Sequence, residues 1–272
     1  MLTRFALITV AVCCYSASAE DLAEEVADAA IRAQISIIID DLGYQLDQGK
    51  ALARLPHRFT IAIIPFTPYG SDIARYAYQN KKEIMLHAPM EPLGTSKWEA
   101  GLTAKMGEQE LIRTMSSMLK DIPHAVGINN HGGSKLTQDR GRMQWIMQFL
   151  ARKQLYFVDS RTIANTTASN AASHAAVRNS SRDVFLDNDK SPDLIKVQLN
   201  KLRQIATKRG YAIGIAHPYP ETISTLVEEL PKLYRQGILL VDASRLLYQK
   251  SPENSTFFAV KYDTKDTIFA TQ

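Results

Sequence analysis

Two adjacent carboxylates, Asp40 and Asp41, and three histidines, His87, His131 and His217, each follow directly on a short apolar run. Neighbouring carboxylates can divide two tasks, one gripping a metal and the other handling a proton, and imidazoles serve as metal ligands or as a general acid. Successive residues leaving a strand point in different directions, so the two acids are expected to diverge. Gly43 permits a sharp exit behind them. Helix capping by Asp41 is the alternative reading of this turn.

The remaining candidates follow the same arrangement. His87 opens His-Ala-Pro-Met-Glu-Pro, where Pro89 and Pro92 forbid a regular helix, so Glu91 can reach the site only through a tight loop, as a metal ligand or as a partner behind one. His131 lies in Gly127-Ile-Asn-Asn-His-Gly-Gly-Ser134, where Asn129 and Asn130 offer amides that could orient a histidine or hold a sugar hydroxyl. His217 precedes Pro218, which favours an extended backbone and a ring held over the strand end. Asp159, with Arg161 beside it, and Asp187 also end apolar runs. Each acid can orient His217 or His131, and loop closure or helix capping explains them equally well. His57, His124 and His174 fall in helix or loop contexts and receive no role.

The elements that position these residues are strands expected over 35–39, 60–64, 83–86, 125–129, 155–158, 183–186, 211–215 and 238–241. Continuous apolar runs of this length fit strands covered on both faces, as in a parallel sheet. Helical stretches alternate with them, at 108–120, 140–153, 192–209 and 222–236, which predicts βαβ units with right-handed crossovers. In such folds the carboxyl ends of the strands share one rim, where sites are built. The polar strand ends should therefore converge. Long connections are expected at 91–107 and 163–176.

Residues 1–19 read as a signal peptide, with Arg4 before an apolar stretch and Ala17-Ser18-Ala19 before cleavage. This predicts a periplasmic or secreted protein with no stable membrane span once the leader is removed, the apolar stretch being shorter than the roughly 20 residues a spanning helix needs. Both cysteines, Cys13 and Cys14, lie in this segment, so a metal in the remaining chain must be held by His, Asp or Glu. An amphipathic helix is expected over 20–33, one α/β domain over 34–250 and a polar tail over 251–272. A net charge of +4 without a dense basic block offers nothing for nucleic-acid binding.

The motifs IIIDDLG, HAPMEP, GINNHGGS, FVDSRT, VFLDN and GIAHPYPET, in that order, resemble the divergent branch of the polysaccharide deacetylases over roughly 34–248. The resemblance implies an irregular (β/α) barrel of about seven to eight mostly parallel strands and a metal-dependent carbohydrate esterase. It makes Asp40 the base, Asp41 a metal ligand, His87 the first histidine ligand and His217 the acid that protonates the departing amine.

Classical members of the family carry a second histidine four residues after the first, where this chain has Glu91. His131 is then the expected second histidine ligand, with Glu91 as the substitute. The expected cofactor is a divalent metal, zinc above others, and the expected substrate an N-acetylated glycan such as peptidoglycan. A glycan-binding or envelope scaffold protein that kept the barrel and lost turnover is the alternative. A metal-free glycosidase using paired carboxylates is a third reading, which leaves the three histidines without a task.

Overall fold

The computed structural model describes residues 31–94 and 101–249. The expected leader, the helix over 20–33 up to residue 30, and the tail from 251 lie outside the described residues. Ala33, placed in that helix by the sequence reading, instead opens the first strand.

Among the described residues, nine strands build one sheet: β1 Ala33–Leu42, β2 Thr60–Ile63, β3 Ile84–Met90, β4 Ala125–Gly132, β5 Tyr156–Asp159, β6 Asn179–Ser181, β7 Val184–Phe185, β8 Tyr211–Ala216 and β9 Ile238–Leu240. Their order is β6-β5-β4-β3-β2-β1-β8-β7, with β9 paired to β1, and every pairing is parallel. The helices are α1 Leu46–Arg54, α2 Gly70–Gln79, α3 Glu108–Asp121, α4 Arg140–Arg152, α5 Ala168–His174, α6 Pro192–Arg209, α7 Pro220–Arg235 and α8 Ala243–Gln249. The architecture is the expected irregular (β/α) barrel. None of the described helices is long and apolar enough to cross a membrane.

The two ends of the curled sheet meet through the chain itself. The Arg182 N–H donates to Asp159 O on β5, and the next N–H, of Asp183, donates to Ile213 O on β8. One continuous segment, 179–185, thus serves as the edge of both sheet ends. Its first half, Asn-Ser-Ser, lacks the apolar run by which the other strands were recognised, which is why β6 was not expected. A further difference is α5, which forms inside the connection expected over 163–176 by packing Ala168, Ala171 and Ala172 inward.

Strand alternation divides the apolar residues into two layers. Ile35, Ile37 and Ile39 of β1 belong to the layer shared with the helices. Ile38, Ala62, Met85, Tyr156, Val158, Ile213, Ile215 and Leu239 form a second cluster, with Leu246 and Leu247 of α8. Two residues beyond Ile38, Met85 and Ile215 on the same face come Asp40, His87 and His217. The apolar cluster is therefore the floor on which the polar residues stand.

Gly127 of β4 contributes space to that floor. A Cβ there would lie 2.2 Å from Cζ of Tyr156, and the Tyr156 hydroxyl is held 2.7 Å from Oε1 of the half-buried Glu83. With its far end fixed, the ring cannot retreat. Gly127→Ala is expected to destabilise the fold by about 1–3 kcal/mol through overpacking, read as a lower midpoint in urea denaturation. An unchanged midpoint would contradict this account of the contact.

Candidate active site

The strand ends converge on one point, and a bulge decides how. In the β1–β2 register Ile39 faces Ile61 and Leu42 faces Ile63, so Asp40 and Asp41 together oppose a single residue. Asp41 takes a left-handed backbone, φ 60°, a conformation that costs a residue other than glycine about 1–3 kcal/mol. The extra residue turns both carboxylates into the same site. The divergence expected from simple strand alternation does not occur.

Three atoms form a near-equilateral triangle. Asp41 Oδ1 lies 3.1 Å from His87 Nε2 and 3.0 Å from His131 Nδ1, and the two nitrogens are 3.0 Å apart. Ligand atoms of a tetrahedral site with bonds of about 2.0–2.1 Å stand roughly 3.3 Å from one another, so this spacing is close to one face of such a site. Asp41 Oδ1 is buried and, despite these short distances, has no hydrogen-bond donor aligned with it. These are the donor types that bind zinc and similar divalent ions, and the three residues fit such an ion.

The next layer fixes the orientation of His87. β3 and β4 run in register with His87 opposite Asn129. The Asn129 amide donates from Nδ2 to Asp40 Oδ1 at 2.8 Å, which leaves its Oδ1 to accept from His87 Nδ1 at 2.7 Å. With the Nδ1 proton committed, His87 presents Nε2 to the triangle. Asn129 thereby couples the two acidic functions, touching Asp40 directly and Asp41 through His87.

Electrostatics at this point favour positive charge. Burial opposes ionisation of Asp41, yet the close approach of His131 and His87 outweighs it and holds the carboxyl far below the usual range. Burial likewise disfavours a charged His87, but Asp40 and Asp41 push its pKa up to about 9. A proton or a metal cation can supply the charge the acids call for. Asp40, only 3% exposed, is pushed above the ordinary carboxylate range by burial, against the opposing pull of His87, His217 and Asn129.

His217 stands across from the triangle, its Nε2 3.6 Å from Asp41 Oδ2. Asp187 holds it from behind: Oδ1 lies 3.0 Å from His217 Nδ1, and Oδ2 accepts from the His217 backbone N–H at 2.6 Å and from the Thr222 hydroxyl at 3.0 Å. Burial lowers the pKa of this ring, and Asp187, joined by Asp40 and Asp41, more than reverses that. The aromatic rings of Phe185 and Tyr219 flank it at 5.1 and 5.6 Å.

Other candidates are occupied elsewhere. Glu91 accepts from the Ala104 N–H and from Lys135 Nζ, both at 2.6 Å, which tie down the loop after β3 and leave it outside the triangle. Asn130 bonds Gly132 O and the Ser160 N–H, bracing β4 against the loop after β5. Asp159 closes its own loop by accepting from the Arg161 N–H and the Thr166 hydroxyl. Arg161 is exposed on that turn, with φ 50°.

Sequence reasoning missed Arg182. Its Nε donates to Ser160 O at 2.8 Å, and burial with the neighbouring Arg161 lowers its pKa against the opposing pull of Asp159 and Asp40. It is the cation whose field reaches Asp40 from the join between β6 and β7. It lies in a polar stretch with no apolar run ahead of it, and its sequence context carried no signal.

Comparison with known proteins bears on the family and the fold. Residues 37–247 match the family model of the divergent polysaccharide deacetylases. The uncharacterized protein YibQ of Escherichia coli (strain K12) is 37% identical over 224 residues, covering 82% of this chain and 70% of that protein. The crystal structure of the uncharacterized protein ATU2773 from Agrobacterium tumefaciens C58 is similar at a TM-score of 0.75 and 23% identity, over 83% of this chain and 94% of that one. A mutant of BA3943, described as a CE4 family pseudoenzyme with restored enzymatic activity, shares the fold at a TM-score of 0.53 and 12% identity, over 80% of this chain and 68% of that one. With its family model matched over most of the barrel, the chain belongs to the divergent polysaccharide deacetylases.

Proposed function

We propose that this protein is an exported, metal-dependent hydrolase that removes N-acetyl groups from an envelope polysaccharide. The observation that carries the reading is the triangle of Asp41 Oδ1, His87 Nε2 and His131 Nδ1, with the buried carboxyl of Asp40 beside it, in a chain of this family. Asp41, His87 and His131 would hold the ion, zinc by the nature of the donors. When bound, such a cation supplies Lewis-acid chemistry, acidifying water and polarising a carbonyl.

The chain's own groups divide the remaining work. Water adds to the acetamide carbonyl carbon while Asp40 takes a proton from it. His217, kept in place by Asp187, delivers a proton to the amide nitrogen. The C–N bond breaks, leaving acetate and a free amino sugar. Asn129 keeps Asp40 and His87 in mutual register throughout.

The test uses the protein lacking residues 1–19, incubated with zinc, desalted and given chitohexaose or peptidoglycan. About one equivalent of zinc by elemental mass spectrometry, with acetate released and chain length unchanged, is the expected result. Chain shortening would point to a glycosidase. Neither metal nor acetate would move the protein to a glycan-binding or scaffold role on the same barrel.

A further inference from the structure

Beside Asp41 the loops leaving β1 and β2 are pressed together. The Ile64 N–H donates to Leu42 O, the Tyr69 N–H donates to Gly43 O, both at 2.9 Å, and a Cβ at Gly43 would lie only 2.1 Å from Thr67 Oγ1. These two loops expose three large aromatic side chains: Tyr44 at 47%, Phe66 at 58% and Tyr69 at 41%. They are three of the nine exposed large hydrophobic residues among those described, gathered on one short arc of the rim that carries the acids.

Phe66 adds a second observation. Its φ is +62°, a backbone that glycine adopts freely and a phenylalanine does not. The Asp121 carboxylate at the end of α3 pins this conformation by accepting the Phe66 N–H at 2.6 Å. The fold thus spends backbone strain to keep a ring in water, the reverse of what stability alone favours. The three side chains carry no charge, which suits a neutral, C–H-rich ring face better than a phosphate or a polyanion.

We propose that Tyr44, Phe66 and Tyr69 form a stacking subsite for a hexosamine ring of a polymeric glycan, next to the sugar presented to Asp40 and Asp41. The inference rests on the glycan reading above and extends it to a preference for polymer over monomer. Affinity for a chain should therefore fall when the rings are removed, without loss of the fold.

Titration calorimetry in the presence of a chelator separates this from turnover, because binding is then read without hydrolysis. The mature protein is expected to bind chitohexaose more tightly than N-acetylglucosamine. Phe66→Gly and Tyr69→Ala should each weaken hexamer binding about tenfold, the loss of one good aromatic contact. The thermal midpoint of Phe66→Gly should stay level or rise, since glycine relieves the φ strain. A merely structural Phe66 would lower it instead.

Wild-type affinity in both variants overturns the proposal, as does equal binding of monomer and hexamer by the wild type. Self-association that Phe66→Gly abolishes would also overturn it, assigning the surface to a second copy of the chain. Hexamer binding that depends on these rings, without any acetate release, would sustain the subsite while removing the hydrolase.

Discussion

Asp41→Ala is expected to leave the protein folded and without zinc, its metal content falling from about one equivalent to background. Loss of an outer hydrogen-bonding partner of a metal site costs roughly 10–100-fold in affinity, and removing a direct ligand costs more. Asp41 supplies the one oxygen of the triangle and stands within 3.1 Å of both nitrogens, so the two histidines left behind do not make a tight site. The fold should survive with some loss of stability, since Oδ1 has no aligned donor to orphan but the favourable closeness of the carboxylate to His87 and His131 is lost. Elemental analysis of desalted protein beside a thermal melt checks both halves. Retention of a full equivalent of zinc would show that the ion sits elsewhere.

Asp40→Asn is expected to separate metal binding from catalysis. The amide has the shape of the carboxylate, and its oxygen can still accept from Asn129 Nδ2, the bond that holds Asp40 in the wild type. What it cannot do is take a proton. Loss of a positioned general base typically costs 10²–10⁴-fold, so acetate release should fall by about that factor while zinc content stays near one equivalent. A rate within a few-fold of wild type would remove Asp40 from the reaction. Zinc lost along with the activity would instead make it a ligand, through the contact it already makes at 3.7 Å with His87 Nε2.

The contrast between these two neighbours shows where sequence reading stops. That polar strand ends would gather on one rim followed from the apolar runs, and the structure brings Asp40, Asp41, His87, His131 and His217 together there. Alternation alone, however, sends adjacent side chains to opposite faces. Only the bulge in β1 and the left-handed turn at Asp41 bring both acids inward, and neither has a sequence signature here. Glu91 looked available as a ligand because nothing in the sequence reveals that Lys135 and the Ala104 N–H, far along the chain, will claim it. Asn129 and Asn130 are chemically identical neighbours, and strand parity alone gives one to His87 and the other to Ser160.

The fold was easier to read than the site because burial writes itself into composition. Helix α6 begins and ends where expected, with Pro192 in its first turn and Gly210 behind it at φ 88°. Helices α1 and α2 were overlooked. Each is short, and Gly49 of α1 lies against Ile73 of α2, so glycine there serves close packing rather than a turn.

The join at 182–183 bears on the mechanics of the rim. Around most of its circumference the barrel is a laminate of hydrogen-bond ladders, and widening it there would break bonds. Between β6 and β7 the circumference is carried by covalent chain: Arg182 is fastened to β5 and Asp183 to β8, with one peptide unit between them. The wall enclosing Asp40 and His217 is therefore closed by ladders around most of its circumference and by a covalent strap along one meridian. Arg182, whose field reaches Asp40, stands on that strap.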